Sequence, residues 1–283
     1  MIIDSHQHFW RYDAARHGWI TEAMSAIRRD FMPEQFEREC VANGVDGSIV
    51  VQVDQSEEET HFLLELAERD DRVVGVVGWV DLRAAAVEER LQFFTQFKKL
   101  CGFRHIAQVE ADDFLVDRDF ARGISRLRAF GFAYDILIYP RQLPAAIELA
   151  SRFPEQRFVV DHMAKPLIKD GCREPWASYM RTLAQNANVF GKVSGLVTEA
   201  DWSHWKTEDI HPYLDIVFEA FGPERLMFGS DWPVCLLAAS YRQVKEVIED
   251  YVEAHAAQHK EDIFGGNAIR FYGLKAAPHG LAA

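Results

Sequence analysis

The sequence predicts an α/β fold, a single (β/α)8 barrel of the TIM type. Eight short apolar runs alternate with amphipathic helical stretches along 283 residues, a length typical of one such barrel. Runs such as Ser48-Ile49-Val50-Val51 and Phe158-Val159-Val160 are near-continuously apolar, as parallel strands covered on both faces are. Eight βα units favour a closed cylinder, where six or fewer would favour an open doubly wound sheet. Gly-x-Gly-x-x-Gly is absent, which removes the main support for a dinucleotide fold.

In order, the expected strands cover residues 2–9, 47–53, 73–82, 102–108, 132–139, 157–162, 189–195 and 226–231. Between the second and third, residues 56–69 open on Ser56 and Glu59, the spacing of a capping box, and place Leu63, Leu66 and Ala67 on one stripe. Residues 119–130 put Phe120, Ile124 and Leu127 on one face, and Gly131 is a C-terminal stop. Residues 240–255 repeat the pattern with Val244, Val247, Ile248 and Tyr251. The segment 11–33 is long for a βα loop and is either a wall over the barrel mouth or a surface insertion. Residues 165–176 form a second long loop. The barrel domain is expected over 1–275, with 276–283 as a frayed tail.

Composition narrows the class. Apolar residues make up 48% and charged residues 27%, enough apolar material for a sizeable core. The net charge of −13 argues against nucleic acid and anionic membranes as partners and leaves small neutral molecules open. Nothing reads as a secretory signal, and no stretch approaches the ~20 apolar residues of a membrane span. Cys40, Cys101, Cys172 and Cys235 lie far apart without a C-x-x-C. A cytoplasmic protein, monomer or homodimer, is the expectation.

The chemistry sits at strand ends. His6 and His8 are two apart on strand one, so both imidazoles point the same way, into the C-terminal mouth where barrel active sites lie. A His-x-His alone is as often structural as functional, but two adjacent buried imidazoles are costly unless something uses their lone pairs, and a divalent metal does so directly. His162 ends strand six and Asp231 ends strand eight, which closure makes a neighbour of strand one. A carboxylate there binds a metal or takes a proton from water; the alternative is a helix N-cap. Arg104 on strand four either binds substrate oxygen or pairs with a local acid such as Glu110. Lys192 and Ser194 share a face on strand seven. Gln52, Trp79 and Asp81 are further candidates, each with a structural reading at least as strong.

Taken together, Asp4-Ser5-His6-Gln7-His8, Gly78-Trp79-Val80-Asp81, Asp161-His162-Met163-Ala164-Lys165-Pro166, Lys192-Val193-Ser194-Gly195, Gly229-Ser230-Asp231-Trp232-Pro233 and Phe264-Gly265-Gly266-Asn267 resemble the amidohydrolase superfamily, of the amidohydrolase-2 type. Within it they look most like the lactonase branch, whose members act on sugar, sulfomuconic and pyrone dicarboxylate lactones. The resemblance covers nearly the whole chain in order.

It implies hydrolysis of a lactone at a centre of His6, His8, His162 and Asp231, holding one divalent metal, zinc foremost. Branch members that work without metal imply a second version, in which the histidines polarise the carbonyl by hydrogen bonding. Arg104-His105 stands where binuclear members carry a carboxylated lysine, so a binuclear centre is not expected; Glu110 is a substitute ligand. Arg104, Lys165 and Trp79 are then candidates for substrate binding. An acidic chain with one strand-end arginine, and with Trp10 and Trp19 in the first long loop, suits a neutral aldonolactone such as L-fucono- or L-rhamnonolactone better than a dicarboxylate lactone. The competing classes are a metal-dependent decarboxylase on a similar barrel and a non-catalytic binding protein.

Overall fold

The computed structural model describes residues 1–275; the predicted tail 276–283 lies outside the described residues. The strands are β1 Ile3–Gln7, β2 Gly47–Val51, β3 Val73–Gly78, β4 Leu100–His105, β5 Ala133–Ile136, β6 Phe158–Val160, β7 Val189–Val193 and β8 Leu226–Phe228. All pair in parallel in the order of the chain. Closure comes from a bridge between Gln7 and Trp232, with His8 N donating to Trp232 O at 2.7 Å and Asp231 N to His6 O at 2.8 Å. The eight-stranded cylinder expected from the sequence is therefore present.

The helices among the described residues are α1 Pro33–Asn43, α2 Glu57–Arg69, α3 Val87–Phe94, α4 Arg118–Leu127, α5 Leu143–Arg152, α6 Trp176–Ala184, α7 Leu196–Glu199, α8 Thr207–Phe221, α9 Tyr241–His255 and α10 Asn267–Tyr272. None is long and apolar enough to cross a membrane. Each surface helix buries one stripe: Phe120, Ile124 and Leu127 on α4, and Val244, Val247, Ile248 and Tyr251 on α9. Gly131 adopts φ 78° after the short 3-10 turn that ends α4, the left-handed stop its position predicts. At α2 the capping box is half made. Ser56 Oγ accepts from Glu59 N at 3.1 Å, but the Glu59 carboxylate turns away to accept from Val53 N at 2.8 Å and from Asp54 N. It braces the turn after β2 instead.

The strands are shorter than the apolar runs, and the difference matters. β6 stops at Val160 and β8 at Phe228, so His162 and Asp231 stand on the turns beyond the strands. The segment 11–33 is a wall packed on the barrel. It holds a 3-10 turn at Glu22–Ile27, is tied down by paired bonds between Trp10 and Phe31 at 2.9 Å, and buries Ile20, Ile27 and Phe31. Trp232 fills the space behind it, packing on Phe9, Phe31 and Phe36.

Candidate active site

Three elements deliver the central side chains. β1 carries His6 into the cylinder, and His8 follows one residue past its end. Beyond β8 the chain turns at Asp231, whose φ is 58°. That left-handed turn is held from several sides: Asp4 Oδ1 accepts from Ser230 N at 2.9 Å, Ser230 Oγ from Trp232 N at 2.9 Å, and His6 O from Asp231 N at 2.8 Å. Beyond β6, His162, Met163, Ala164 and Lys165 all have φ between 51° and 58°, a full left-handed turn without a glycine. Each such residue costs about 1–2 kcal/mol, and strain of this kind concentrates where geometry serves function.

Glycines then let the rings close up. A Cβ on Gly195 would stand 2.5 Å from His162 Nδ1, and one on Gly229 would stand 2.7 Å from His6 Cβ.

The four residues meet. Asp231 Oδ1 is 3.3 Å from His8 Nε2, 3.8 Å from His6 Nε2 and 3.8 Å from His162 Nε2. The His6 and His162 ring centroids are 4.4 Å apart. All are buried, His6 completely and the other three with 3–4% exposure, enough to reach the barrel mouth. Burial lowers the His6 value well below an ordinary histidine and brings His162 to about 4, so both are neutral near pH 7. For Asp231 burial pulls upward, but the surrounding imidazoles, His162 foremost, outweigh it and hold the carboxylate well below its usual range. The centre is thus one ionised carboxylate ringed by imidazoles.

A charged network lies beneath. Arg104 Nη1 donates to Asp161 Oδ2 at 3.0 Å and lies 3.3 Å from His6 Nε2, and its Nη2 donates to Gln52 O. The acid that pairs Arg104 is Asp161 on the β6 side; Glu110, the partner suggested by spacing, is bonded to His105 Nε2 at 3.0 Å instead. The chain leaves β4 at His105 and curls, so strand parity does not extend to Glu110. Lys192 is fully buried between Asp135 (2.5 Å), Asp161 (3.1 Å) and His6 Nδ1 (3.2 Å), and Tyr272 Oη donates to Asp135. Burial opposes the Lys192 charge, yet the two aspartates raise its value above an ordinary lysine's. Asp135 and Tyr272 went unread in the sequence, although a lone Asp inside Phe-Ala-Tyr-Asp-Ile-Leu is a signal: a charge within a doubly covered strand needs a partner.

These contacts decide how the residues fit a divalent ion. His8 Nδ1 donates to Val51 O at 2.7 Å, which leaves the Nε2 lone pair facing His6 Nε2 at 3.2 Å. With Lys192 donating to His6 Nδ1, His6 carries its proton on Nε2 and gives it to His8. In the other tautomer Nδ1–H faces Asp161 Oδ1 at 3.3 Å, an oxygen whose other neighbour is the Lys192 ammonium at 3.1 Å, and the His6 Nε2 lone pair is free. Donor atoms of His6, His8 and Asp231 then lie within 4.8 Å of one another; a second such set is His6, Asp161 and His162. The donor set fits zinc or a similar ion, and both supporting acceptors for the histidines are present.

The remaining candidates sit around the rim. Lys165 Nζ is 3.5 Å from Glu199 Oε1 and 5.6 Å from the Tyr139 ring centroid. Trp79 donates through Nε1 to His105 Nδ1 at 3.3 Å, which links it to Glu110 and not to the histidine centre. Asp81 is exposed, and Gln52 is spent on Arg104. Trp10 is buried in the wall, 6.5 Å from the His8 ring; Trp19 remains exposed.

Residues 3–274 match the amidohydrolase family. The chain belongs to the amidohydrolase family. As an amidohydrolase it is 44% identical over 284 residues to an L-fucono-1,5-lactonase of Burkholderia multivorans, an alignment covering 96% of each protein. It is 38% identical to an L-fucono-1,5-lactonase of Burkholderia ambifaria, covering 95% of this chain and 94% of the other. A crystal structure of an amidohydrolase from B. multivorans with bound zinc superposes with a TM-score of 0.94 at 44% identity, covering 97% of this amidohydrolase and 100% of that chain.

Proposed function

We propose that this protein is a lactonase that opens a sugar lactone, an aldonolactone such as L-fuconolactone, to its hydroxy acid. The observation that carries the reading is the ionised Asp231 carboxylate set 3.3–3.8 Å from three imidazoles at the mouth of the barrel. Two relatives named as L-fucono-1,5-lactonases, at 44% and 38% identity, support a lactone over the decarboxylation alternative.

Asp231 takes the proton of the attacking water as its oxygen bonds to the lactone carbonyl carbon. The ring C–O bond breaks, and the same carboxyl group returns the proton to the departing ring oxygen. His162 is neutral, with Nδ1 at 2.9 Å from Ser194 Oγ. With Ser194 donating there, His162 presents Nε2–H to the carbonyl oxygen, where negative charge develops. Lys192 and Asp161, both beside Nδ1, fix the His6 ring from its inner side. A divalent ion on His6, His8 and Asp231, with zinc our preference, supplies Lewis-acid polarisation of the carbonyl and acidifies water.

One catalytic domain over 1–275 and a cytoplasmic location, in keeping with four unpaired thiols, complete the reading. The test is a panel of aldonolactones followed with a pH indicator, with and without chelator, alongside metal analysis. Asp231→Asn is expected to lower kcat at least a thousandfold while the circular dichroism spectrum is unchanged. Full activity in that variant removes Asp231 from the chemistry, and no turnover of any lactone by the wild type removes the function.

A further inference from the structure

Lys165 and Glu199 form an ion pair that the hydrolytic steps do not use. Lys165 is the last residue of the left-handed turn that begins at His162, and Glu199 closes α7, just after Gly195 has packed against the His162 ring. Both side chains are about four-fifths buried, with 19% exposure each, and they stand 3.5 Å apart, longer than a tight ion-pair bond. Lys169 N donates to Glu199 O at 3.0 Å and ties the two loops together. The Tyr139 ring, 37% exposed, lies 5.6 Å from the ammonium. Glu199 feels the Asp231 charge and His162 feels that of Lys165, so the pair lies within Coulombic reach of the histidine centre.

We propose that Glu199 and Lys165 read vicinal hydroxyls of the substrate, the carboxylate accepting from one and the ammonium donating to its neighbour, and that Glu199 turns away lactones carrying a second carboxylate. The inference rests on the lactonase reading. A loose, largely buried pair suits such recognition, because it offers an acceptor and a donor a few ångströms apart and loses little when a diol enters between them. Its net charge is zero, which matches a neutral polyol. The other basic groups close to the centre are already committed, Arg104 to Asp161 and Gln52 and Lys192 to Asp135 and Asp161. A carboxylated substrate thus meets Glu199 with one lysine, already paired to it, and like charges at that range disfavour binding. A site that hydrogen-bonds a substrate hydroxyl also rejects analogues that lack it, because its buried polar atoms are left unpaired.

The experiment compares kcat/KM of the wild type, Glu199→Gln and Lys165→Met on a polyhydroxylated aldonolactone, on the unsubstituted lactone of the same ring size, and on a lactone bearing a free carboxylate. The ratio of the hydroxylated to the bare substrate is expected to fall at least tenfold in both variants. The carboxylated substrate should gain relative to the bare one in Glu199→Gln and lose in Lys165→Met. Ratios that stay at the wild-type value, with all substrates lowered alike, mean that the pair is structural and overturn the proposal. Should the wild type hydrolyse no lactone, the parent reading fails instead, so the two failures are distinct. Thermal melting of both variants confirms that the barrel is intact, and the two substitutions, opposite in charge, check one another.

Discussion

His162 combines a strained backbone, φ 51°, with an imidazole held almost wholly out of water. Burial lowers its value to about 4 from an ordinary 6.5. Between those limits the unfolded chain binds a proton that the folded protein does not. The stability that this residue contributes is therefore complete above pH 6.5 and is lost as pH falls toward 4, at about 1.4 kcal/mol per unit and roughly 3 kcal/mol in all. His6, shifted the same way, adds to the same acid limb. Urea denaturation of the chelated protein at pH 7, 6 and 5 is expected to show falling stability, and His162→Asn should flatten part of that slope. An identical slope in the variant would mean that the imidazole is not the group being titrated.

At the scale of elements, the turns after β6 and β8 fix the geometry of the proposed centre, and they were the least legible part of the sequence. The order and number of strands were readable because buried parallel strands write themselves as apolar runs. Those runs overshoot, as at 157–162, because Asp161 and His162 continue the pattern while the backbone has already left the sheet. A left-handed turn built from His, Met, Ala and Lys has no compositional mark. The histidines and Asp231 were readable from their places at strand ends. Their partners Asp161, Asp135 and Tyr272 come from the turn after β6, from β5 and from α10, contacts that spacing along one strand cannot report. Gly195 shows what such a turn demands of its neighbour. Its φ is 64°, and an alanine Cβ would meet His162 Nδ1 at 2.5 Å. Gly195→Ala is expected to cost about 2–3 kcal/mol from crowding and the positive φ. It should also lower kcat/KM at least tenfold, because the ring moves off Ser194. A variant as stable and as active as the wild type would show that the ring has room.

For the molecule as a whole, the seam between β1 and β8 closes the cylinder and at the same time sets Asp231 against His6 and His8. Gln7 and Trp232 make the backbone bridge, but the buried carboxylate of Asp4 joins three pieces of chain: His6 N at 3.1 Å, Ser230 N at 2.9 Å and the α9 residue Tyr241 through Oη at 3.0 Å. Burial lifts the Asp4 value to about 6, which marks how much these donors must offset when it is ionised. Removing one of them, as in Tyr241→Phe, leaves a buried carboxylate oxygen without its donor. The expected cost is about 2 kcal/mol, since hydrogen bonds to charged groups contribute about 1.5–3 kcal/mol. In a barrel of this size that lowers the thermal midpoint by roughly 4–8 °C. Activity should fall with it, because Asp4 also positions Ser230 and hence Asp231. Tyr251→Phe is the matched control: it deletes an equivalent bond, Tyr251 Oη to Asp215 Oδ1 at 2.7 Å, between α9 and α8 and away from the seam. That variant should melt slightly earlier and keep the wild-type kcat/KM. If the two variants affect kcat/KM equally, the seam does not set the Asp231 carboxylate, and closure and activity are separate properties of this barrel.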